Sequence, residues 1–208
     1  MANASDEQLL AAWRQGDRGA GQALFRRHYD TLARFYANKV AAEERPELIQ
    51  RTFLACVESR DRFEGKSQFR TYLIGIAVRQ LYKHFDRRRR DQRRLDFNHV
   101  SSEDLAPTPS QYAVQQDEYR ILLAALRRVP VDYQLVLELV YWEGFTAQMI
   151  AECLDIPLGT AKTRIRRGRE LVREQIETVA ATPSLLQSTL MNLDGWAEGL
   201  REQIGRKE

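Results

Sequence analysis

The chain has 208 residues and a formal net charge of +3, a length that allows one or two small domains with hydrophobic cores. No apolar run approaches the roughly 20 residues that span a bilayer, and the N-terminus lacks the apolar core of a signal peptide. We therefore expect a soluble, cytoplasmic protein that makes no membrane contact. The two cysteines, Cys56 and Cys153, lie far apart in apolar surroundings, which predicts buried residues and neither a disulfide nor a metal pair.

The positive charge is concentrated in two stretches. Residues 83–94 contain seven basic and two acidic residues, and residues 158–173 contain six basic and one acidic. Residues 95–119, which lie between them, contain five acidic residues and no Lys or Arg. This distribution suits a polyanion that is bound at defined points, and suits a general nucleic-acid coat less well.

The first half of the chain predicts helices only. Ser5 and Gln8 have the spacing of a capping box, which starts a first helix. Apolar residues then recur at helical spacing over residues 20–40, again after Pro46, and again after Ser67, where the helix continues into the arginine-rich stretch. No alternating strand pattern interrupts them, so residues 1–94 are predicted to form a small all-α domain.

The second half predicts a linker, another helical domain and a tail. Residues 95–116 are rich in Ser, Pro and acidic residues, which is typical of an extended, flexible linker. Residues 117–180 are predicted to form the second domain, with a helix that stops before Pro130 and another that Asp132 is expected to cap. Residues 181–208 carry an apolar stripe at helical spacing and predict an amphipathic helical tail.

Residues 146–173 have the pattern of a helix-turn-helix. Thr146 can cap a short first helix, and residues 155–157 break it before a second helix begins. One stripe of the second helix is apolar and can pack against the first. The opposite stripe is polar and basic, and comprises Lys162, Thr163, Arg166 and Arg167. A basic stripe alone would indicate a solvated face, but the cap, the breaker and the two stripes together favour a helix that enters the DNA major groove.

Two separated parts of the chain resemble one protein family. The sequences ELIQRTFL at residues 47–54 and FEGKSQFRTYLIGIA at residues 63–77 resemble the promoter-melting domain of bacterial RNA polymerase sigma factors. The sequence PLGTAKTRIRRGR at residues 157–169 resembles the domain of the same factors that binds the −35 element. Two such domains with only a linker between them resemble the compact extracytoplasmic-function (ECF) group. The resemblance covers roughly residues 5–178 and leaves the tail outside it.

The resemblance implies three sets of site residues. The set expected to bind the −35 element with the recognition helix is Thr160, Lys162, Thr163, Arg164, Arg166 and Arg167, with Thr160 and Arg164 placed on phosphates. The set expected to contact the −10 element and the DNA backbone is Gly65, Lys66, Ser67, Tyr72, Arg79, Lys83, Arg87, Arg89 and Arg90. The set expected to dock on the clamp of the largest polymerase subunit is Glu47, Leu48, Gln50 and Phe53.

Two positions within the −10 set depart from the family pattern. Tyr72 stands where the family commonly has Trp, and core packing is as good an interpretation of it as stacking on a DNA base. Arg79 stands where some members carry an Asn near the melted strand, so the −10 preference does not follow from the family.

The function implied is that of a promoter-specificity subunit, with RNA polymerase core and promoter DNA as partners. It would recognise the −10 and −35 elements, assist strand opening, perform no covalent chemistry and need no metal or cofactor. Relatives are often held inactive by an anti-sigma factor, although nothing in this sequence identifies one. The alternatives are a stand-alone helix-turn-helix regulator, which would have no need of residues 47–54 and 63–77, and an interaction module whose basic stretches bind an acidic protein.

Overall fold

The protein is an all-α structure, as the sequence predicts. The computed structural model describes residues 4–88, 97–105 and 117–179. Within those ranges the regular structure is helical, apart from one isolated antiparallel bridge between Ser101 and Pro130. The predictions for Arg89, Arg90, most of the linker and the C-terminal tail fall outside the described residues.

Helices α1 to α4 form the N-terminal half. The capping box of Ser5 and Gln8 starts the first, the Asp17 carboxylate accepts from two backbone N–H groups at the start of the second, and Pro46 occupies the first turn of the third. The helices are α1 (Asp6–Arg14), α2 (Arg18–Ala37), α3 (Arg45–Ser59) and α4 (Phe69–Arg88), and a short 3-10 turn, Arg60–Arg62, follows α3. Their apolar faces meet around Leu24, Leu32 and Leu73, none of which is exposed.

Helices α5 to α9 follow. They are α5 (Ser102–Leu105), α6 (Asp117–Arg128), α7 (Val131–Tyr141), α8 (Ala147–Leu154) and α9 (Leu158–Val179). The prediction that Asp132 caps α7 is wrong, because Pro130 is the N-cap residue and Asp132 lies inside the first turn. Its carboxylate instead accepts from the Tyr82 hydroxyl of α4, at 2.7 Å.

The two halves pack against each other. Helix α4 lies on α8 so closely that a Cβ added to Gly75 would be 3.0 Å from the Cys153 carbonyl oxygen, which explains a glycine in the middle of α4. Residues 97–105 also lie on the C-terminal half, where the Val131 N–H donates to the Val100 carbonyl at 2.9 Å. The acidic composition of this segment predicted a flexible linker and did not reveal that contact. A single hydrophobic core, with members from both halves, therefore runs through the described residues.

Candidate nucleic-acid interface

The C-terminal helix pair has the geometry of a helix-turn-helix. The Thr146 hydroxyl accepts from the Met149 N–H at 3.2 Å, which confirms the predicted cap of α8. Asp155 ends α8 with a left-handed backbone (φ 53°, ψ 51°), and α9 begins at Leu158. The buried residues of α8 and α9, including Ile150, Ala161 and Val172, face each other or the core. The tight turn thus fixes α9 with one face inward and the other outward.

The outward face of α9 is the predicted base-reading stripe. Lys162, Thr163 and Arg166 are exposed, and Arg167 is partly exposed. Arg166 and Arg167 both donate to Glu170, at 2.8 and 3.0 Å. These hydrogen bonds lower the pKa of Glu170 and raise the pKa of Arg167, so the pairs stay charged at neutral pH. Exposed pairs of this kind contribute little stability, and the arginines can exchange a carboxylate for a base edge or a phosphate at small cost.

Arg164 occupies a different position from the other recognition-helix residues. Its guanidinium lies 2.6 Å from the Asp132 carboxylate, and it also donates to the Asn98 side-chain oxygen at 3.3 Å. Only 18% of its side chain is exposed. Thr160 is partly exposed at the start of α9. In this conformation Arg164 joins α9 to α7 and to residues 97–105, and does not face outward.

The turn between Phe63 and Phe69 contains the first residues of the set predicted to contact the −10 element. Gly65 has a φ of +74° and no heavy atom lies within 4 Å of where its Cβ would be, so the tip is open. Lys66 is exposed and pairs with Glu64, and Ser67 is partly exposed. Tyr72 is not free to stack from both faces, because its ring lies 4.5 Å from that of Phe63.

The Tyr72 hydroxyl is engaged as well. It donates to the Ser59 backbone carbonyl at 3.0 Å and lies 2.6 Å from the Ser59 hydroxyl. The ring is partly exposed, so Tyr72 presents an aromatic surface of fixed orientation behind the turn. Both interpretations of this residue, core packing and a stacking surface, are compatible with its position.

The basic residues of α4 continue away from this turn. Arg79, Lys83 and Arg87 are exposed along the helix. Their spacings of four residues place them on one face. The same helix contacts α8 through Gly75, one turn before Arg79. The part of α4 that the structure describes therefore presents a basic edge that α8 borders.

The predicted docking set on α3 is only partly on the surface. Glu47 and Gln50 are exposed, and Phe53 is partly buried with its ring 4.3 Å from that of Phe25. Leu48 is 1% exposed, so its assignment to a docking surface is wrong, and it packs in the core.

Two apolar residues that the sequence did not reveal are exposed on α3 instead. They are Leu54, which is 57% exposed, and Val57, which is 39% exposed. Their spacing from Glu47 and Gln50, at intervals of three and four, was the signal that could have found them.

Comparison with known proteins finds two family models that match this chain. A family model described as "Sigma-70 region 2" matches residues 24–91, and one described as "Sigma-70, region 4" matches residues 119–172. Together these two matches cover more than half of the chain. The ECF RNA polymerase sigma-E factor of Haemophilus influenzae is 26% identical over 181 residues, which span 83% of this chain and 96% of that protein. The factor of the same name from Escherichia coli K12 is 23% identical over 181 residues, 83% and 95% of the two chains.

The chain belongs to the ECF group of sigma factors.

Two solved structures share the fold of this sigma factor. One is CnrH in complex with the cytosolic domain of CnrY, with a TM-score of 0.61, 18% identity and coverage of 84% of this chain and 99% of that one. The other is the sigma factor RpoE of Bartonella quintana in complex with the anti-sigma factor NepR, with a TM-score of 0.53, 22% identity and coverage of 70% and 88%. The predictions of an all-α fold and of a sigma factor are thus confirmed.

The largest feature that the sequence did not reveal is the polar contact between the halves of the sigma factor. The Lys39 ammonium, in the turn after α2, pairs with the Glu138 carboxylate of α7, and both are buried. Glu143, after α7, pairs with Arg34 of α2 and with Arg70 of α4. These charges lie more than 70 residues apart in the chain, so no spacing pattern could have paired them.

Metal ligation, thiol chemistry and membrane insertion can each be examined within the described residues. Among the described residues, no cluster of three or more His, Cys, Asp or Glu side chains could hold a metal ion. Burial raises the pKa of the Cys56 and Cys153 thiols to about 12, which leaves both protonated and unreactive at neutral pH. In the parts of the chain that the structure describes, no helix is long and apolar enough to cross a membrane.

Proposed function

We propose that this sigma factor binds RNA polymerase core, reads the −35 element as duplex with α9, and captures an unpaired base of the −10 element at the Phe63–Phe69 turn. The observation that carries the proposal is the presence, on one chain, of an outward basic stripe on α9 and an open turn backed by aromatic rings. The stripe suits major-groove edges, and the turn suits a base removed from the stack. The protein contributes binding and positioning, and performs no covalent step.

The exposed face of α3 supports the polymerase contact. Leu54 and Val57 are large apolar residues left in solvent, flanked by the exposed Glu47 and Gln50. An apolar centre with a polar rim is typical of a protein–protein interface. A regulator that acts on DNA alone would have no use for this face. We therefore assign the docking surface to Glu47, Gln50, Leu54 and Val57, with Phe53 packed behind them.

Promoter binding requires the two halves to separate. The numbers −10 and −35 place the two elements about 25 base pairs apart, which is about 85 Å at roughly 3.4 Å per base pair. A compact chain of this length has a radius of gyration of only about 17 Å. The closed arrangement, in which α8 covers part of α4 and Tyr82 of α4 donates to Asp132 of α7, cannot reach both elements. Polymerase would hold the halves apart, and the linker would span the gap.

The proteins of similar fold suggest a further partner. Each of the two solved structures is a complex, CnrH with the cytosolic domain of CnrY in one and RpoE with the anti-sigma factor NepR in the other. We infer that this sigma factor also has an anti-sigma partner, and that it acts in the cell interior where polymerase and DNA are found.

Run-off transcription with core polymerase on a randomised promoter library tests the proposal. The expected result is transcription from templates that share two short motifs. The free protein should bind the same duplex far more weakly than the holoenzyme does. Tight, specific duplex binding without core would instead establish a stand-alone regulator.

A pair of variants on α3 tests the docking surface separately. Leu54→Asp should abolish core binding, because it places a charge at the apolar centre of the interface. Tyr29→Asp is the matched control, since Tyr29 is also an exposed large apolar residue, at 40%, but lies on α2 outside the assigned surface. It should keep wild-type affinity for core. Unchanged core binding by Leu54→Asp would show that another face makes the contact.

A further inference from the structure

The end of α1 is tied to the base of the Phe63–Phe69 turn. Arg14, the last residue of α1, donates from Nε and from a terminal nitrogen to the Arg60 carbonyl oxygen, at 3.1 and 2.5 Å. The same terminal nitrogen also donates to the Phe63 carbonyl oxygen. A single guanidinium thus bridges the first and last carbonyls of the segment that leads from α3 into the turn.

The chemistry of this bridge is specific to arginine. The carbonyls of Arg60 and Phe63 lie where the helical segment ends, at the negative end of its dipole, and a cation there is favourable. The planar fork of a guanidinium fixes the separation and direction of two acceptors, whereas an ammonium acts as a point charge. A second contact joins the same two elements, since the Arg60 guanidinium lies 5.0 Å from the centre of the Trp13 ring.

Aromatic rings join the two ends of the turn. The Phe63 ring stacks on Tyr72 and meets Phe69 edge-on, with ring centres 4.5 and 6.3 Å apart. Phe69 is 2% exposed and anchors the start of α4. The residues between the two ends are exposed or partly exposed, and Gly65 at the tip has open space around it. The result is a short open turn whose two ends are joined by side-chain rings, while Arg14 holds the backbone of its N-terminal end.

We propose that Arg14 is a positioning residue for base capture, which makes α1 part of the strand-opening machinery. The inference rests on the proposed function of the turn. A preformed pocket has to offset the cost of unstacking a base, so a turn whose N-terminal backbone is released captures the base less well, even though the Phe63 ring stays on Tyr72. Arg14 itself is exposed in the folded protein and does not fill the core, so its replacement leaves the packing of α1 intact.

The test measures how strongly the holoenzyme senses a single unpaired base. Fork-junction DNA is made from a promoter selected by the transcription library, with one abasic site at each single-stranded −10 position in turn. In the wild-type holoenzyme, an abasic site at the captured position should lower affinity by about 5- to 150-fold, the range expected for loss of one stacked base. In Arg14→Gln that loss should shrink by about fivefold or more, down to no loss at all, because the released turn no longer favours the stacked base. In Arg14→Gln, the affinity for core polymerase and the effect of −35 substitutions should stay unchanged. The abasic effect in Arg14→Lys should lie between those of the wild type and Arg14→Gln.

Arg27→Gln is the matched control. Arg27 is also an exposed arginine that ties α1 to its surroundings, through the Asp6 carboxylate at 2.7 Å and the Ala4 carbonyl at 2.8 Å, but it does not touch the turn. It should keep the wild-type abasic effect. An unchanged abasic effect in Arg14→Gln, or an equal reduction in Arg27→Gln, would overturn the role of Arg14 and leave base capture standing. Absence of any position-specific effect in the wild type would overturn base capture itself.

Discussion

Removal of one member of the Lys39–Glu138 pair should cost far more than removal of both charges. Lys39 is fully buried and Glu138 is 3% exposed. The Lys39 ammonium also donates to the Phe35 carbonyl at 2.5 Å, and Glu138 accepts from the Asn38 and Gln134 amides at 3.2 and 2.8 Å. When one charge is removed, the hydrogen bonds named here leave the other with neutral partners, and Glu138 keeps only the longer-range attraction of the Arg127 guanidinium. Breaking such a buried pair typically costs about 3–5 kcal/mol.

The variants are Lys39→Met, Glu138→Gln and the double variant. The amide introduced by Glu138→Gln carries no charge but still offers an oxygen to the two neighbouring amides, so the double variant removes both charges without orphaning those donors. We expect each single variant to lose about 3–5 kcal/mol, and the double variant to lie within about 2 kcal/mol of the wild type. Urea unfolding followed by circular dichroism at a fixed pH measures all four proteins. Strictly additive single effects would refute the reasoning, since additivity means that the two groups do not interact.

The pair also joins the halves, so the single variants should open the protein. Water can reach an orphaned charge only if the turn that follows α2 separates from α7. Small-angle scattering would then show a radius of gyration clearly above the roughly 17 Å of a compact chain. Arg51→Gln is the control, because it removes an exposed pair with Glu47 within α3. Its stability should change by less than about 0.5 kcal/mol, with no change in scattering.

Three further outcomes follow from named contacts. Gly75→Ala should weaken the docking of α4 on α8, because the new Cβ would lie 3.0 Å from the Cys153 backbone oxygen. Overpacking of this kind costs about 1–3 kcal/mol, whereas the gain in helix propensity is at most about 1 kcal/mol. Differential scanning calorimetry should therefore show a lower Tm. Arg167→Ala should reduce transcription by an amount that depends on the −35 bases, whereas Lys83→Ala should reduce it equally on all −35 variants; a uniform effect of Arg167→Ala would exclude base reading. Burial lowers the pKa of His28 below its ordinary 6.5, so the unfolded chain binds more protons just below that pH and stability should fall as pH decreases through this window. His28→Asn should flatten that part of a profile of urea midpoints against pH.

Local patterns in the sequence were enough for the helices and for the recognition face. The capping box at Ser5 and the Thr146 cap are interactions between residues three apart, and both are present as predicted. The exposed stripe of Lys162, Thr163 and Arg166 follows from the 3.6-residue period of one helix. These features depend on neighbours in the chain, so the chain order contains the information that specifies them.

Contacts between distant helices decided the rest. The family resemblance placed Leu48 on the docking surface beside Glu47, but the packing of α3 turns it into the core and leaves Leu54 and Val57 outside. Because Asp132 closely follows Pro130, the sequence predicted it to be a helix cap. In the structure its carboxylate instead accepts from Tyr82 of α4 and pairs with Arg164 of α9.

The sequence alone therefore determined the family, the helices and the outward basic stripe of this sigma factor, because each is encoded in short-range spacing. Only the tertiary structure decided which side chains remain available for a partner, that the halves close on buried charges such as Lys39 and Glu138, and that Arg14 reaches the turn. The physical reason is that burial and ion pairing depend on which helix faces meet, and that is settled by packing across the whole chain.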